Sequence, residues 1–339
     1  MAKAFREQGK KSSLVYYGVE PLEKSFQKFC EDESLEFSYV HHQGRGSMAS
    51  WKDYLKSLKE QSPDVILLHS LNLTIPTIYY SLLNRCPFIS VEHTGGLKSW
   101  PDKLSSILAL IFSAITVILE PNYRQSTWPA TQGLFRKKDR VIQNGVDLMI
   151  YKPASKQRPV LISMAGRLNY PKDYVTPLNM ALDILDENSD IQAEIQIAGT
   201  GEHLKQLDNI IKERGEGRAK LLGYLNEEDL ADLLARSQVF VMKSDAENMP
   251  TVLLQAMASE CAVVASDIPN IRRLMPSDYP GLFDNRDPED LKRRLEHALR
   301  SSSENESRVE LRHHVDKLYN IAQMIEEYTR LIELQISSN

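Results

Sequence analysis

Residues 244–258 read SDAENMPTVLLQAMA, and they follow an apolar run from Val239 to Met242 that is typical of a buried strand. Together they predict a strand, a polar loop and an apolar helix. Backbone N–H groups and the positive end of the helix dipole then face one point, which suits a phosphate. Glu247 lies in the loop, and Gln255 follows eight positions later, about two helical turns along and directed toward the same point. The alternative is an ordinary polar loop, since all doubly wound domains contain such units.

The composition is that of an ordinary globular protein. The chain has 339 residues, of which 42% are apolar and 26% charged, and this length predicts two domains. Its formal net charge of -5 gives no overall attraction to nucleic acid, so no nucleic-acid partner is expected. The basic run Arg293-Arg294 is interpreted as a solvated face.

Cysteine and histidine spacing predicts neither a disulfide framework nor a metal site. Cys30, Cys86 and Cys261 are few and unpatterned, which favours a reducing compartment. The eight histidines lack HExxH spacing. The N-terminus lacks the apolar core of a signal peptide, and the longest apolar run, 107–119, is shorter than a membrane span of about 20 residues. We interpret that run as a helix end followed by a buried strand.

Apolar runs of strand length alternate with amphipathic helical stretches throughout the chain. This alternation predicts an α/β protein with two doubly wound, Rossmann-like domains that face each other across a cleft. The first-half strands are predicted at Leu14 to Tyr17, Val65 to Leu68, Phe88 to Val91, Thr116 to Leu119 and Val141-Ile142. The second-half strands are predicted at Val160 to Ala165, Glu194 to Ala198, Lys220 to Leu222, Val239 to Met242 and Ala262 to Ala265.

A turn signal and a polar stretch divide the chain near residue 153. Asn144-Gly145-Val146-Asp147 predicts a turn, and the polar residues up to Pro159 are typical of a linker. The predicted domains are therefore residues 1–153 and 154–305. Residues 306–339 are predicted to be an amphipathic helix that packs back on the first domain.

The candidate ligand residues directly follow predicted strands of the second domain. Gly166, Arg167 and Lys172 follow the first strand, and Gly199 and Gly201 follow the next. Gly223 and Tyr224 come after the third strand and are placed to frame a base. Arginine and lysine suit a phosphate, glycines allow close backbone approach, and ligands of such folds bind at the carboxyl ends of the strands. Alternatively, each loop is an ordinary turn, and Arg167 and Lys172 are surface cations.

Taken in order, these motifs resemble those of a retaining glycosyltransferase of family four, on the GT-B fold. The resemblance covers nearly the whole chain and is strongest over residues 141–285. It implies that Arg167 and Lys172 neutralise the donor diphosphate, and that Glu247 contacts the donor sugar. Further donor-binding residues implied by the motif are Asn248, Met249, Pro250, Thr251 and Gln255.

His93 resembles the family histidine that lines the sugar pocket, although it is alternatively a structural histidine at a strand end. The resemblance implies no metal, no cofactor and no dedicated protein nucleophile, because the donor phosphate itself accepts the acceptor proton. Positioning and electrostatics then account for the rate.

The sequence departs from the family pattern in two places. Gln255 occupies the position of the family's second glutamate, whose carboxylate accepts hydrogen bonds from both ribose hydroxyls. A neutral amide forms weaker bonds by roughly 1 kcal/mol, so the donor affinity is expected to fall up to about tenfold. The stretch Met1 to Tyr17 also resembles the family's first helix and second strand, so the opening strand and its glycine-rich loop are expected to be absent.

The leading hypothesis is a cytoplasmic enzyme that transfers a sugar from a nucleoside diphosphate, with UDP favoured, to a glycan or lipid-linked acceptor in surface polysaccharide synthesis. Peripheral contact with the inner face of the membrane is expected through Lys98, Trp100 and Lys103, with Trp100 alternatively in the core. One competing hypothesis is a noncatalytic scaffold for another glycosyltransferase. Another is a GT-B epimerase or phosphorylase. The oligomeric state is left open.

Overall fold

The computed structural model describes residues 1–18, 24–41, 48–93, 100–119, 138–154, 160–301 and 305–337. The chain divides into two compact units. The first comprises Met1–Gln143 with Gln323–Asn339, and the second comprises Asn144–Ala322. The boundary was predicted near residue 153, inside a linker that ends at Pro159, and residues 155–159 lie outside the described residues.

The described strands of the first unit form two separate parallel sheets. These strands are β1 (Ser13–Gly18), β2 (Glu36–His41), β3 (Ile66–Leu68), β4 (Phe88–Glu92), β5 (Ile115–Ile118) and β6 (Asp139–Val141). β1 pairs with β2 alone, and the second sheet has the order β3–β4–β5–β6. Among the described strands, β1 and β3 each pair on one side only.

The described residues of the first unit include six α-helices. They are Ala2–Glu7, Lys24–Asp32, Met48–Gln61, Thr74–Asn84, Trp100–Phe112 and Ile321–Ser337. The last of them buries Tyr328, Leu331 and Ile332 in one apolar cluster with Phe5 and Val117. Residues 107–119 form a helix end followed by β5, as predicted. The described part of the chain includes no helix that is long and apolar enough to cross a bilayer.

The second unit is built around one mainly parallel sheet. Its strands are β7 (Leu161–Ala165), β8 (Lys172–Asp173), β9 (Glu194–Ala198), β10 (Ala219–Gly223), β11 (Val239–Ser244), β12 (Ala262–Ser266) and β13 (Leu282–Phe283). The order is β10–β9–β7–β11–β12–β13, and β8 pairs antiparallel with the end of β11. The helices are Val175–Glu187, Leu204–Ile210, Glu227–Arg236, Thr251–Ala258, Pro269–Arg272, Pro288–Arg300 and Asn305–Leu318, with a π-helical turn at Ile211–Gly215.

The strand order of the second unit creates a topological switch point between β7 and β11. The chain moves from β7 to β9 on one side, and β11 then pairs with β7 on the other side. Ligands of doubly wound sheets bind outside the carboxyl ends of the strands at such a point. All five residues of β7 are buried, and one face of the sheet packs in a single core with Ile162, Ile197 and Val241, so the sheet is a rigid support for its loops.

Candidate active site

A buried ion pair joins the two loops at the switch point. The Nζ atom of Lys172, which follows β7, donates to Oε1 of Glu247, which follows β11, over 2.5 Å. The two side chains are only 14% and 13% exposed. Both residues were predicted from the sequence to serve one ligand, and the structure brings them into direct contact.

Arg167 adds a second positive charge at this point. Burial lowers the pKa of Lys172, the ion pair with Glu247 opposes that effect, and the positive charge of Arg167 lowers the pKa further. The hydroxyl of Tyr174 responds to the same two charges: burial and Glu247 raise its pKa, whereas Arg167 lowers it. Arg167 itself is exposed. The charge of Arg167 therefore acts on Lys172 and Tyr174, and Lys172 also contacts the carboxylate of Glu247.

Backbone and side-chain contacts fix Lys172 in place. It belongs to β8, which pairs with Lys243 and Ser244 at the end of β11. The N–H of Asp245 donates to the carbonyl of Pro171 over 3.0 Å, next to the cis peptide bond that Pro171 forms with Tyr170. Because β8 is part of the sheet, the ammonium group of Lys172 is positioned before any ligand binds.

Asp173 anchors the other end of β8. Its carboxylate accepts from the backbone N–H groups of Val175 and Thr176 and forms an ion pair of 3.0 Å with Lys243. Burial acts to raise the pKa of Asp173, but the hydrogen bonds from Thr176 and Lys243 dominate and lower it. The carboxylate therefore stays ionised and holds the start of helix Val175–Glu187 to the sheet.

Three of the predicted glycines pack the loops at the carboxyl edge directly against one another. Gly166, Gly199 and Gly201 have φ angles of 140°, 137° and 154°, which side chains rarely adopt. A Cβ atom on Gly199 would overlap the carbonyl oxygen of Gly166, and one on Gly201 would overlap the backbone of Leu168. The N–H of Leu168 donates to the carbonyl of Thr200 over 2.9 Å. The glycines thus bring the loop after β9 against the loop after β7.

Gly223 and Tyr224 lie at the end of β10, on the same edge. Gly223 has a φ of 69°, and its carbonyl accepts from the N–H of Gly199 over 2.7 Å. The side chain of Tyr224 is 60% exposed. The predicted base-framing residues therefore border the glycine loops, and the role of Tyr224 stays a prediction.

The loop from Glu247 to Thr251 leads into helix Thr251–Ala258. Pro250 is the N-cap residue of this helix, and its side chain makes no capping hydrogen bond. Met249 is buried, and its sulfur accepts a hydrogen bond from the N–H of Asn144 over 3.2 Å. Gln255 is half-buried on the helix. Asn248 is half-buried beside Glu247. The loop and helix have the predicted form, with the first N–H groups of the helix following the Glu247 loop.

His93 lies in the first unit, directly after β4, and contacts a second histidine that sequence reasoning missed. Nδ1 of His69 is 2.7 Å from Nε2 of His93, and the two rings are stacked with their centroids 5.0 Å apart. Burial and the neighbouring His93 lower the pKa of His69 to about 4, and burial lowers that of His93. Since one nitrogen donates and the other accepts, the contact couples the tautomers of the two rings.

The signal for His69 was available in the sequence. It directly follows β3, the parallel neighbour of β4. Like His93, it therefore lies at the carboxyl end of a strand, where ligands of such folds bind. Asn270 was also missed, and its side chain donates to the backbone carbonyl of Glu247 over 2.5 Å. It follows β12, the neighbour of β11, and fixes the Glu247 loop.

Within the described residues, no group of three or more His, Cys, Asp or Glu side chains is arranged to hold a metal ion. The expectation of a reaction without metal or cofactor stays a prediction.

Comparisons with known proteins show the family to which the chain belongs. The family model for glycosyl transferases group 1 matches residues 148–317, which is half of the chain. The capsular polysaccharide biosynthesis glycosyltransferase CapH of Staphylococcus aureus is 26% identical over 227 residues, which span 63% of this chain but only 62% of CapH.

A second relative aligns over more of the chain. The GalNAc-alpha-(1->4)-GalNAc-alpha-(1->3)-diNAcBac-PP-undecaprenol alpha-1,4-N-acetyl-D-galactosaminyltransferase of Campylobacter jejuni is 24% identical over 307 residues, covering 88% of this chain and 83% of its own.

Solved structures share the fold over almost the whole chain. HepE of Anabaena, in complex with UDP and glucose, has a TM-score of 0.79 at 16% identity and covers 98% of this chain and 93% of its own. Sucrose-phosphate synthase of Thermosynechococcus elongatus has a TM-score of 0.76 at 14% identity, with coverage of 100% and 92%. The predicted fold class, α/β of the GT-B type, is confirmed.

Proposed function

The chain belongs to the glycosyl transferases group 1 family, and on that premise we propose that it transfers a sugar from a nucleoside diphosphate to a glycan or lipid-linked acceptor with retention of configuration. The observation that carries the proposal is the contact between Lys172 and Glu247 at the switch point of the sheet, where the positive charge of Arg167 also acts on Lys172. This arrangement places cations for a diphosphate beside a carboxylate for sugar hydroxyls.

Each partner of the ion pair has a counterpart in the donor. Without a ligand, Glu247 accepts from Lys172. With the donor bound, Lys172 and Arg167 would donate to phosphate oxygens, and Glu247 would accept from sugar hydroxyls. The pair therefore keeps two buried charges satisfied until the substrate replaces each of them.

In the proposed reaction, the leaving diphosphate is the group that most needs electrostatic stabilisation. The bond between the anomeric carbon and the phosphate oxygen breaks, and the acceptor oxygen bonds to the same face of the sugar. The acceptor proton goes to the departing phosphate. Negative charge grows on the diphosphate as the bond breaks, and Arg167 and Lys172 stabilise that charge.

UDP is the proposed nucleotide, and a glycan or a lipid-linked glycan is the proposed acceptor. HepE is described in complexes with UDP and with UDP-glucose, which supports the donor. CapH is named for capsular polysaccharide biosynthesis, and the Campylobacter relative for an undecaprenol-linked acceptor. Such a donor and acceptor would place the enzyme in the cytoplasm, at the inner face of the membrane.

An exposed apolar face on the first unit supports peripheral membrane contact. Helices Thr74–Asn84 and Trp100–Phe112 pack together, and their exposed apolar side chains include Tyr79, Leu82, Leu83, Trp100, Ile111 and Phe112. Trp100 is 73% exposed, so its alternative placement in the core is wrong. Lys98 of the predicted contact lies outside the described residues. In a flotation assay with anionic vesicles, the fraction of bound protein should fall when Leu82→Ser and Leu83→Ser are combined. Leu204→Ser, on the second unit, should bind like the wild type.

Mass spectrometry of reaction products tests the proposed transfer. The purified chain is incubated with a panel of UDP- and GDP-sugars and with undecaprenyl-diphosphate-linked glycans. We expect a product whose mass is increased by one sugar, lost in Lys172→Met and retained in Lys212→Met, which alters an exposed lysine of the same unit. The anomeric coupling constant of the first product by proton NMR distinguishes retention from inversion.

A noncatalytic scaffold is the second candidate. Gln255 and the divided sheet of the first unit favour it, because both depart from the pattern of active family members. Transfer by the isolated chain would reject the scaffold. Donor binding without transfer or hydrolysis, restored to transfer only by a second protein, would support it.

A further inference from the structure

Tyr174 is a buried tyrosine next to the candidate active site that has no part in the reaction described so far. It follows β8 directly and is the N-cap residue of helix Val175–Glu187. The residue is only 5% exposed and packs in the core of the second unit, in one cluster with Ile162, Leu178 and Val241. The packing of the ring fixes where the hydroxyl group at its end can lie.

The hydroxyl of Tyr174 lies at Gly166, the first residue after β7. A Cβ atom on Gly166 would be 2.8 Å from the hydroxyl oxygen of Tyr174 and 3.4 Å from Cε of Lys172. The hydroxyl and the side chain of Lys172 therefore approach the same point, and glycine leaves room for both of them. This point is at the carboxyl end of β7, where ligands of doubly wound sheets bind.

The hydroxyl of Tyr174 keeps its proton at neutral pH. Burial and the negative charge of Glu247 raise the pKa of Tyr174, and the opposing effect of Arg167 is smaller. A protonated phenol has one hydrogen to donate. Tyr174 therefore offers a neutral hydrogen-bond donor beside the ammonium group of Lys172.

Among the described residues, none forms a hydrogen bond with the hydroxyl of Tyr174. Tyr279 of the same unit differs in this respect, because its hydroxyl accepts from the N–H of Val263 and donates to the carbonyl of Val263, each over 3.0 Å. The hydroxyl of a buried tyrosine usually has such a partner. At Tyr174, the acceptor that the protein does not supply can come from a ligand.

We propose that the hydroxyl of Tyr174 donates a hydrogen bond to a phosphate oxygen of the nucleoside diphosphate. A diphosphate that accepts from Lys172 brings several charged oxygens to the place where this hydroxyl lies, and hydrogen bonds to charged oxygens are stronger than those to neutral ones. The inference rests on the proposed function, because it takes the diphosphate to bind at Lys172.

Calorimetric titration of the full chain with UDP, combined with urea unfolding, tests the proposal in Tyr174→Phe, which keeps the ring and removes only the hydroxyl. We expect the affinity for UDP to fall about tenfold. The midpoint of unfolding should not fall, because no hydrogen bond within the protein is lost. The matched control Tyr279→Phe should show the reverse, with a lower midpoint and the UDP affinity of the wild type, since its hydroxyl bonds to Val263.

Three results would overturn the proposal. If Tyr174→Phe binds UDP as tightly as the wild type does, the hydroxyl is not a ligand of the diphosphate, and the proposed function is unaffected. If Tyr174→Phe binds UDP normally but UDP-glucose more weakly, the hydroxyl contacts the sugar instead. If the wild type itself does not bind UDP, the proposed donor is wrong, and the role of Tyr174 is lost with it.

Discussion

Removing the charge of Glu247 should destabilise the second unit far more than breaking an exposed ion pair of the same length. At 2.5 Å and an effective dielectric constant of about 20, the Lys172–Glu247 attraction is about 7 kcal/mol. Desolvation of both groups offsets several kcal/mol of this. Glu247→Gln retains an acceptor oxygen but leaves a buried ammonium without its counter-charge. We expect the free energy of unfolding to fall by about 3 kcal/mol at pH 7.

The matched control is the ion pair of Lys212 with Asp208, which is 2.6 Å long but exposed. Asp208→Asn should lower the free energy of unfolding by less than about 0.5 kcal/mol. Urea unfolding is followed by far-UV circular dichroism, because the three tryptophans, Trp51, Trp100 and Trp128, all belong to the first unit. Equal losses in the two variants would refute the burial argument.

The same experiment has a pH signature with a fixed sign. The folded-state pKa of Lys172 lies below its ordinary value of 10.5, so stability rises with pH between the folded and unfolded pKa values. Without Glu247, the pKa of Lys172 falls further and the ammonium loses its proton at lower pH. The deficit of Glu247→Gln relative to the wild type should therefore shrink as the pH rises toward 10. A deficit that grows with pH would contradict the assignment.

Three further predictions concern the donor loops and the histidine pair. Gln255→Glu should tighten UDP binding up to about tenfold in a calorimetric titration if Gln255 holds the ribose, and unchanged or weaker binding would remove it from the site. Gly199→Ala should lower the free energy of unfolding by about 3 kcal/mol, because Gly199 has a φ of 137° and a Cβ atom there would overlap backbone. The control Gly217→Ala should lower it by only about 1 kcal/mol, because Gly217 has a φ of 78° but no atom lies near the added Cβ. His69→Asn should lose less stability than the wild type as the pH falls from 6.5 to 4, because the depressed pKa of His69 makes the folded wild type bind fewer protons than the unfolded chain in that window. Parallel pH profiles in urea titrations would exclude that role for His69.

The sequence predicted the local structure around the site because its signals are local. A buried apolar run followed by a polar loop and an apolar helix identifies β11 and the Glu247 loop without tertiary information. Because ligands of doubly wound sheets bind at the carboxyl ends of the strands, the loop with Arg167 and Lys172 could also be predicted as part of the site. What it did not predict is that β7 and β11 are neighbours, which depends on long-range pairing. The direct Lys172–Glu247 contact follows from that pairing.

Residues that the sequence did not reveal were also overlooked because the pairing of strands was unknown. His69 was overlooked because a single histidine after a short strand carries little information until β3 and β4 are known to be adjacent. The run Arg293-Arg294 was interpreted as a solvated face, and its side chains are 62% and 43% exposed.

Calorimetric titration of the wild type and of Lys172→Met with UDP, in metal-free buffer, tests the central claim most directly. If Lys172 and Arg167 hold the diphosphate, the wild type binds UDP, and loss of one charged hydrogen bond of about 1.5–3 kcal/mol weakens binding roughly 10- to 100-fold. Lys212→Met should bind like the wild type. Equal affinities of Lys172→Met and Lys212→Met for UDP would contradict the claim.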